Sequence, residues 1–111
     1  MMISTDKQLH LLITSVADLD QAKTLAKLLV NSKLAACVQC YPQVSSIYLW
    51  KGEICEDQEV ILHIKCLKKH MPKLEKLIEN HHPYDTPELI ALPIDQSSEP
   101  YLDWIKTSTQ P

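Results

Sequence analysis

Glycine is almost missing from this chain, Gly52 being the only one. A Walker loop and a dinucleotide-binding fingerprint each need several glycines at fixed spacing, so nucleotide sites of those two types are excluded. No apolar run approaches the ~20 residues that cross a bilayer as a helix, and residues 1–7 lack the pattern of a signal peptide. The expectation is a cytoplasmic protein with no membrane partner. Excess positive charge is absent too: a formal net charge of -3 and a pI near 5.9 leave no electrostatic footprint for a polyanion, and nucleic acid is disfavoured. Cys37, Cys40, Cys55 and Cys66 are even in number. Without an export signal they are expected to be reduced thiols rather than a disulfide framework.

What the chain does have is the make-up of one soluble globular domain spanning residues 1–111, with 45% hydrophobic and 23% charged residues and room for one modest core. Residues 9–16 form a β-prone run. Asp18 with Gln21 three positions on resembles a capping box, and Ala22, Leu25, Ala26 and Leu29 then recur at helical spacing. This helix should end near Asn31, Ser32 and Lys33. A β segment starts at Leu34, is interrupted at Pro42, and resumes over residues 45–50 before a hairpin turn at Lys51 and Gly52. The returning strand, roughly residues 53–65, places Val60, Leu62 and Ile64 on one face and Glu59, Ile61, His63 and Lys65 on the other. A second helix has Pro72 in its first turn and an apolar stripe of Met71, Leu74, Leu77 and Ile78. A buried strand over 89–94 and a last helix from Ser97 and Ser98, carrying Tyr101, Leu102, Trp104 and Ile105, complete the order.

That order, β-α-β-β-α-β plus a terminal helix, predicts an α+β, ferredoxin-like sandwich. One strand does not fit a lone two-layer domain: Ile47 and Leu49 share one face while Tyr48 and Trp50 occupy the other, so it is apolar on both sides. If helices cover one face, the other needs a second subunit.

The densest chemistry lies in His81, His82, Pro83, Tyr84, Asp85, Thr86, Pro87 and Glu88. Pro83 and Pro87 push His82 and Thr86 toward extended conformations and stop the helix near His81, leaving a stiff polar loop where a site would sit. Glu59, Lys65, Tyr84 and Glu88 are candidates for lining a polar cleft, with an ion pair at a subunit junction as the alternative role for the charges. Trp50 joins them as a wall, although both it and Trp104 read first as packing anchors. Cys37 and Cys40 form a C-x-x-C, but residues three apart on a strand face opposite sides and no second such pair completes a four-ligand site. Cys37 is then a small core residue or, if a turn intervenes, a soft-metal thiol.

Several ordered motifs carry a resemblance: Lys33 to Val38, Ser46 to Gly52, Ile64 with Lys65, His82 to Tyr84 with Pro87 and Glu88, and Tyr101 to Trp104. Together they resemble the CutA divalent-cation-tolerance family from the first strand to the last helix. The resemblance implies a ferredoxin-like subunit assembled as a compact homotrimer, associated with tolerance of copper and other divalent metals. It points to His81 and His82 as metal ligands. Adjacent helical residues diverge by about 100°, so one ion can reach both only if the chain leaves helical geometry between them; the alternative has His81 extending the Ile78 stripe as a partly buried residue and His82 ordering the loop through a hydrogen bond. Where copper-binding members of the family can place a cysteine before the first-strand threonine, this chain has Ile13 before Thr14.

Three classes of function follow. The first is a trimeric metal-binding or metal-response protein whose ligand is copper or another divalent cation. The second, by analogy of fold with the PII signal transducers, is a regulator or scaffold that binds a small molecule or an unknown protein partner between subunits. The third, an enzyme, has no visible catalytic motif in its favour, and a binding role is expected.

Overall fold

In the computed structural model, which describes residues 2–111, β1 (Ile3–Ser4) and β2 (Leu9–Val16) come first. Asp18 caps α1 (Leu19–Asn31) by accepting the Gln21 N–H at 2.8 Å, and the helix buries Ala22, Leu25 and Leu29, the stripe that its spacing predicts. β3 (Ala35–Trp50) and β4 (Glu53–Leu67) form a long hairpin. Its turn residues Lys51 and Gly52 both have positive φ, 50° and 82°, the signature of a two-residue primed turn that matches strand twist. A 3-10 turn (Lys68–His70) leads into α2 (Met71–His81), which has Pro72 in its first turn and buries Leu74 and Ile78. β5 (Ile90–Pro93), β6 (Ser97–Ser98) and α3 (Glu99–Ser108) follow.

The main sheet is four antiparallel strands in the order β3-β4-β2-β5, so each crossover helix joins two strands that are separated by a third. α1 and α2 cover one face, where Leu12, Val16, Leu29, Leu62, Ile64, Leu74 and Ile78 make the main core. On the opposite face, at one end only, α3 lays Leu102 and Ile105 on Leu9 and Leu67. A separate ribbon pairs β1 with β6, Ile3 against Ser98 and Ser4 against Ser97; no hydrophobic pattern signals such short strands.

The expected break at Pro42 is instead a bulge inside one continuous strand. Tyr41 pairs with Ile61 and Val44 with Glu59, so Pro42 and Gln43 together oppose Val60. A bulge suits Pro42, which has no N–H to give the ladder, and Gln43 takes φ of 60° there. The consequence is large because side-chain direction has period two. On a straight ladder Ile47 and Leu49 would share the face of Glu59, and the extra residue puts Tyr48 and Trp50 there instead.

Beyond the bulge the hairpin projects past the helices as an arm, and the molecule measures 47 × 24 × 22 Å. The helices therefore cover neither face of the arm: Ile47 is 69% exposed, Leu49 71%, Trp50 58% and Ile54 80%. The doubly apolar strand read from the sequence is bare on both sides, not on one.

Candidate functional site

His82 closes α2 in an extended conformation, φ -76° and ψ 135°, as the residue before a proline should. Its Nδ1 accepts the Tyr84 N–H at 3.1 Å, which places the ring proton on Nε2. That Nε2–H lies 2.8 Å from the Ser15 carbonyl oxygen and 3.1 Å from the hydroxyl of fully buried Thr14. The imidazole packs on the Tyr84 ring at a centroid distance of 5.0 Å, and Tyr84 in turn donates its O–H to Glu59 at 2.9 Å. One neutral histidine thus ties the loop to β2 while its neighbour ties the loop to β4. Partial burial holds the His82 pKa below its ordinary 6.5, against the opposing pull of the Ser15 carbonyl and Glu59.

This pinned loop is one wall of a cavity of about 520 Å³ lined by Ser15, Tyr48, Trp50, Asp57, Glu59, Tyr84, Asp85, Thr86 and Glu88. β4 supplies Asp57 and Glu59 two residues apart on one face, and the bulged arm of β3 supplies Tyr48 and Trp50. Tyr48 donates to Asp57 as Tyr84 does to Glu59. Each phenol is pushed up to about 12, Tyr48 chiefly by its bond to Asp57 and Tyr84 chiefly by burial and then by Glu59. Both therefore act as fixed neutral donors near pH 7. The lining carries carboxylates at four positions and no lysine or imidazole, which gives a site that attracts cations.

Of the residues marked out in the sequence, the structure brings Trp50, Glu59, Tyr84 and Glu88 together in this cavity. Lys65 is not among them. It lies six residues further along β4, about 20 Å away at strand rise, and bonds Gln39 on β3. His81 and His82 do not meet at a point: His81 folds back along α2 with Nδ1 3.0 Å from the Leu77 carbonyl oxygen, while His82 reaches toward β2. Among the described residues no three His, Cys, Asp or Glu side chains converge into a metal-holding group. Cys40 packs on the main core, where burial raises its thiol pKa. Cys37 pairs with Lys65 on the opposite face, so the C-x-x-C does not converge.

Sequence reading missed Ser15, Tyr48, Asp57, Asp85 and Thr86 as cavity residues. Asp85 and Thr86 stood inside the segment already marked as a site, a signal that was available. Tyr48 needed the bulge, which fixes the face that the far half of β3 shares with Glu59, whereas Asp57, two residues before Glu59 on β4, shares that face by strand alternation alone.

The fold and the cleft define a small α+β protein with an acidic, ligand-sized cavity beside a pinned loop. A family described as CutA1 divalent ion tolerance protein matches residues 10–108, and the chain belongs to it. It is 42% identical over 100 residues to the divalent-cation tolerance protein CutA of Thermus thermophilus, covering 90% of this chain and 97% of that one. It is 45% identical over 89 residues to human Protein CutA, covering 80% of this chain but about half, 50%, of the human protein's length. In structure it is similar to CutA from Synechococcus elongatus PCC7942, with a TM-score of 0.95 at 32% identity, covering 98% of this chain and 96% of that one.

Proposed function

We propose that the protein serves divalent-cation tolerance as a ferredoxin-like homotrimer that binds its cation, copper included, without catalysing a reaction. The observation that supports assembly is the arm: a projecting hairpin with Ile47, Leu49 and Ile54 exposed together on one face, the kind of apolar surface that marks an interaction site. Since the described residues of one chain hold no complete metal-binding group, the reading has a neighbouring subunit complete the ligand set. His81 contributes from this chain, because its Nε2 is free while both ring nitrogens of His82 are engaged.

The test is titration of the reduced protein with copper(I), copper(II) and zinc(II), with mass by light scattering, alongside His81→Ala, His82→Ala and a quadruple Cys→Ser variant. Trimer mass and one ion per subunit, lost in His81→Ala and kept in the Cys→Ser variant, support the reading. A monomer mass, or binding that vanishes with the thiols alone, ends it. A second reading, a regulator of the kind the PII transducers represent, is favoured by one observation: the cavity is far larger than a metal ion needs.

A further inference from the structure

We propose that the cleft walled by Trp50, Asp57, Glu59, Tyr84, Asp85 and Glu88 is a binding site for a linear organic polycation, a di- or polyamine. The proposal rests on the second reading, in which the cavity takes a small molecule, and it adds the chemical class of that molecule. It does not depend on metal binding at His81.

The charge of the cleft is spread along its walls. Asp57 and Glu59 stand on one face of β4, about 7 Å apart at twice the strand rise, with Asp85 and Glu88 on the loop that forms another wall. A single metal ion wants oxygen ligands within about 2.6 Å of one centre, and no group of three side chains converges that closely among the described residues. Separated carboxylates around a cavity of about 520 Å³ suit separated ammonium groups joined by methylenes.

Two of the carboxylates are already held in place. Tyr48 and Tyr84 each donate to one of them, Asp57 and Glu59. A carboxylate has two oxygens and about four acceptor sites, so each is oriented by its phenol and still has acceptors for an N–H⁺ donor.

Trp50 makes one wall aromatic. An aromatic face suits methylenes, and an indole face also attracts ammonium. Trp50 shows this within the chain, for the Lys51 ammonium nitrogen stands 5.8 Å from its ring centroid. Finally, Ser15 is 94% buried, at 6% relative exposure, yet lines the cavity. The chain's bond from His82 uses the Ser15 carbonyl oxygen, which leaves the hydroxyl to a bound group.

The experiment is calorimetric titration of the wild-type oligomer with spermidine at fixed ionic strength, together with Asp57→Asn, Glu59→Gln and Glu88→Gln. Magnesium chloride serves as the charge control and 1,4-butanediol as the uncharged control. A Trp104→Phe background leaves Trp50 as the sole indole reporter. The expected result is saturable binding with a change in Trp50 emission, weakened about tenfold or more by each carboxylate change, as loss of a charge-assisted hydrogen bond implies. Neither control should displace spermidine at equal concentration. No saturation at millimolar spermidine, affinity unchanged in all three variants, or displacement by stoichiometric magnesium would overturn the assignment. If 1,4-butanediol is seen to compete while magnesium does not, the cleft takes a small molecule but not a polyamine, so the second reading survives and this one fails.

Discussion

At the scale of single residues the site turns on His82, whose neutral ring accepts from Tyr84 and donates toward Ser15 and Thr14. Protonation would place a second N–H on Nδ1, facing the Tyr84 N–H it now accepts, so acid works against the loop. The folded-state pKa is lowered from 6.5, which means the unfolded chain takes up this proton first. Stability from this group is full above about pH 6.5, falls as pH drops, and stops falling once the folded imidazole itself protonates. An NMR titration of the His82 ring should give a pKa below that of a free imidazole, and the Tyr84 amide should shift with the same midpoint. A midpoint at or above 6.5 would show that burial does not dominate. Thr14 makes a related prediction. Thr14→Val keeps the shape and removes the buried hydroxyl beside Nε2, at a cost of about 1–2 kcal/mol in denaturant unfolding. A neutral result would mean that the Ser15 carbonyl satisfies the ring alone.

At the scale of elements, the helices and the central strands were legible because their causes are local. Asp18 caps α1, Pro72 opens α2, Ser98 accepts the Tyr101 N–H at 3.3 Å, and alternation in β4 separates Val60, Leu62 and Ile64 from Ile61 and His63. What could not be read was register. Pro42 announced a disturbance, but whether the strand stops or bulges depends on the partner strand, and only a bulge sends Tyr48 and Trp50 to Asp57 and Glu59. Lys65 failed as a cleft residue for a simpler reason, since sharing a face with Glu59 says nothing of the five residues between them. The bulge is testable: deleting Gln43 removes one residue and should turn Ile47 and Leu49 to the cleft face. Trp50 emission and spermidine binding should then both change, while the α1/α2 core keeps its far-UV dichroism. Unaltered Trp50 emission would show that the arm finds its face without the bulge. At the end of α1, Lys33 holds φ of 62°, so Lys33→Gly should raise stability by about 1 kcal/mol in thermal or denaturant unfolding.

At the scale of the whole molecule the arm and the core obey different rules. Residues 60–67 of β4 lie between two strands and under helices, with Val60, Leu62, Ile64 and Cys66 buried. Residues 44–58 have one partner strand each and bare apolar faces, and an isolated two-stranded ribbon is marginal in water. In the proposed trimer the neighbours cover Leu49 and Ile54, each worth about 1.5–3 kcal/mol when fully buried, and order in the arm becomes a property of assembly. A Leu49→Lys, Ile54→Lys variant should therefore run as a monomer in light scattering while its core remains folded. Hydrogen exchange separates the two halves of the same hairpin. Amides of residues 44–58 should be protected in the wild type and fast in the variant, and those of residues 60–67 should stay slow in both. Since Trp50 and Tyr48 ride on the arm, spermidine affinity should fall with that protection, although neither substitution touches the cleft lining. A variant that keeps the wild-type mass, or an arm that stays protected as a monomer, would show that the hairpin is stable by itself and that its apolar faces serve something other than self-assembly.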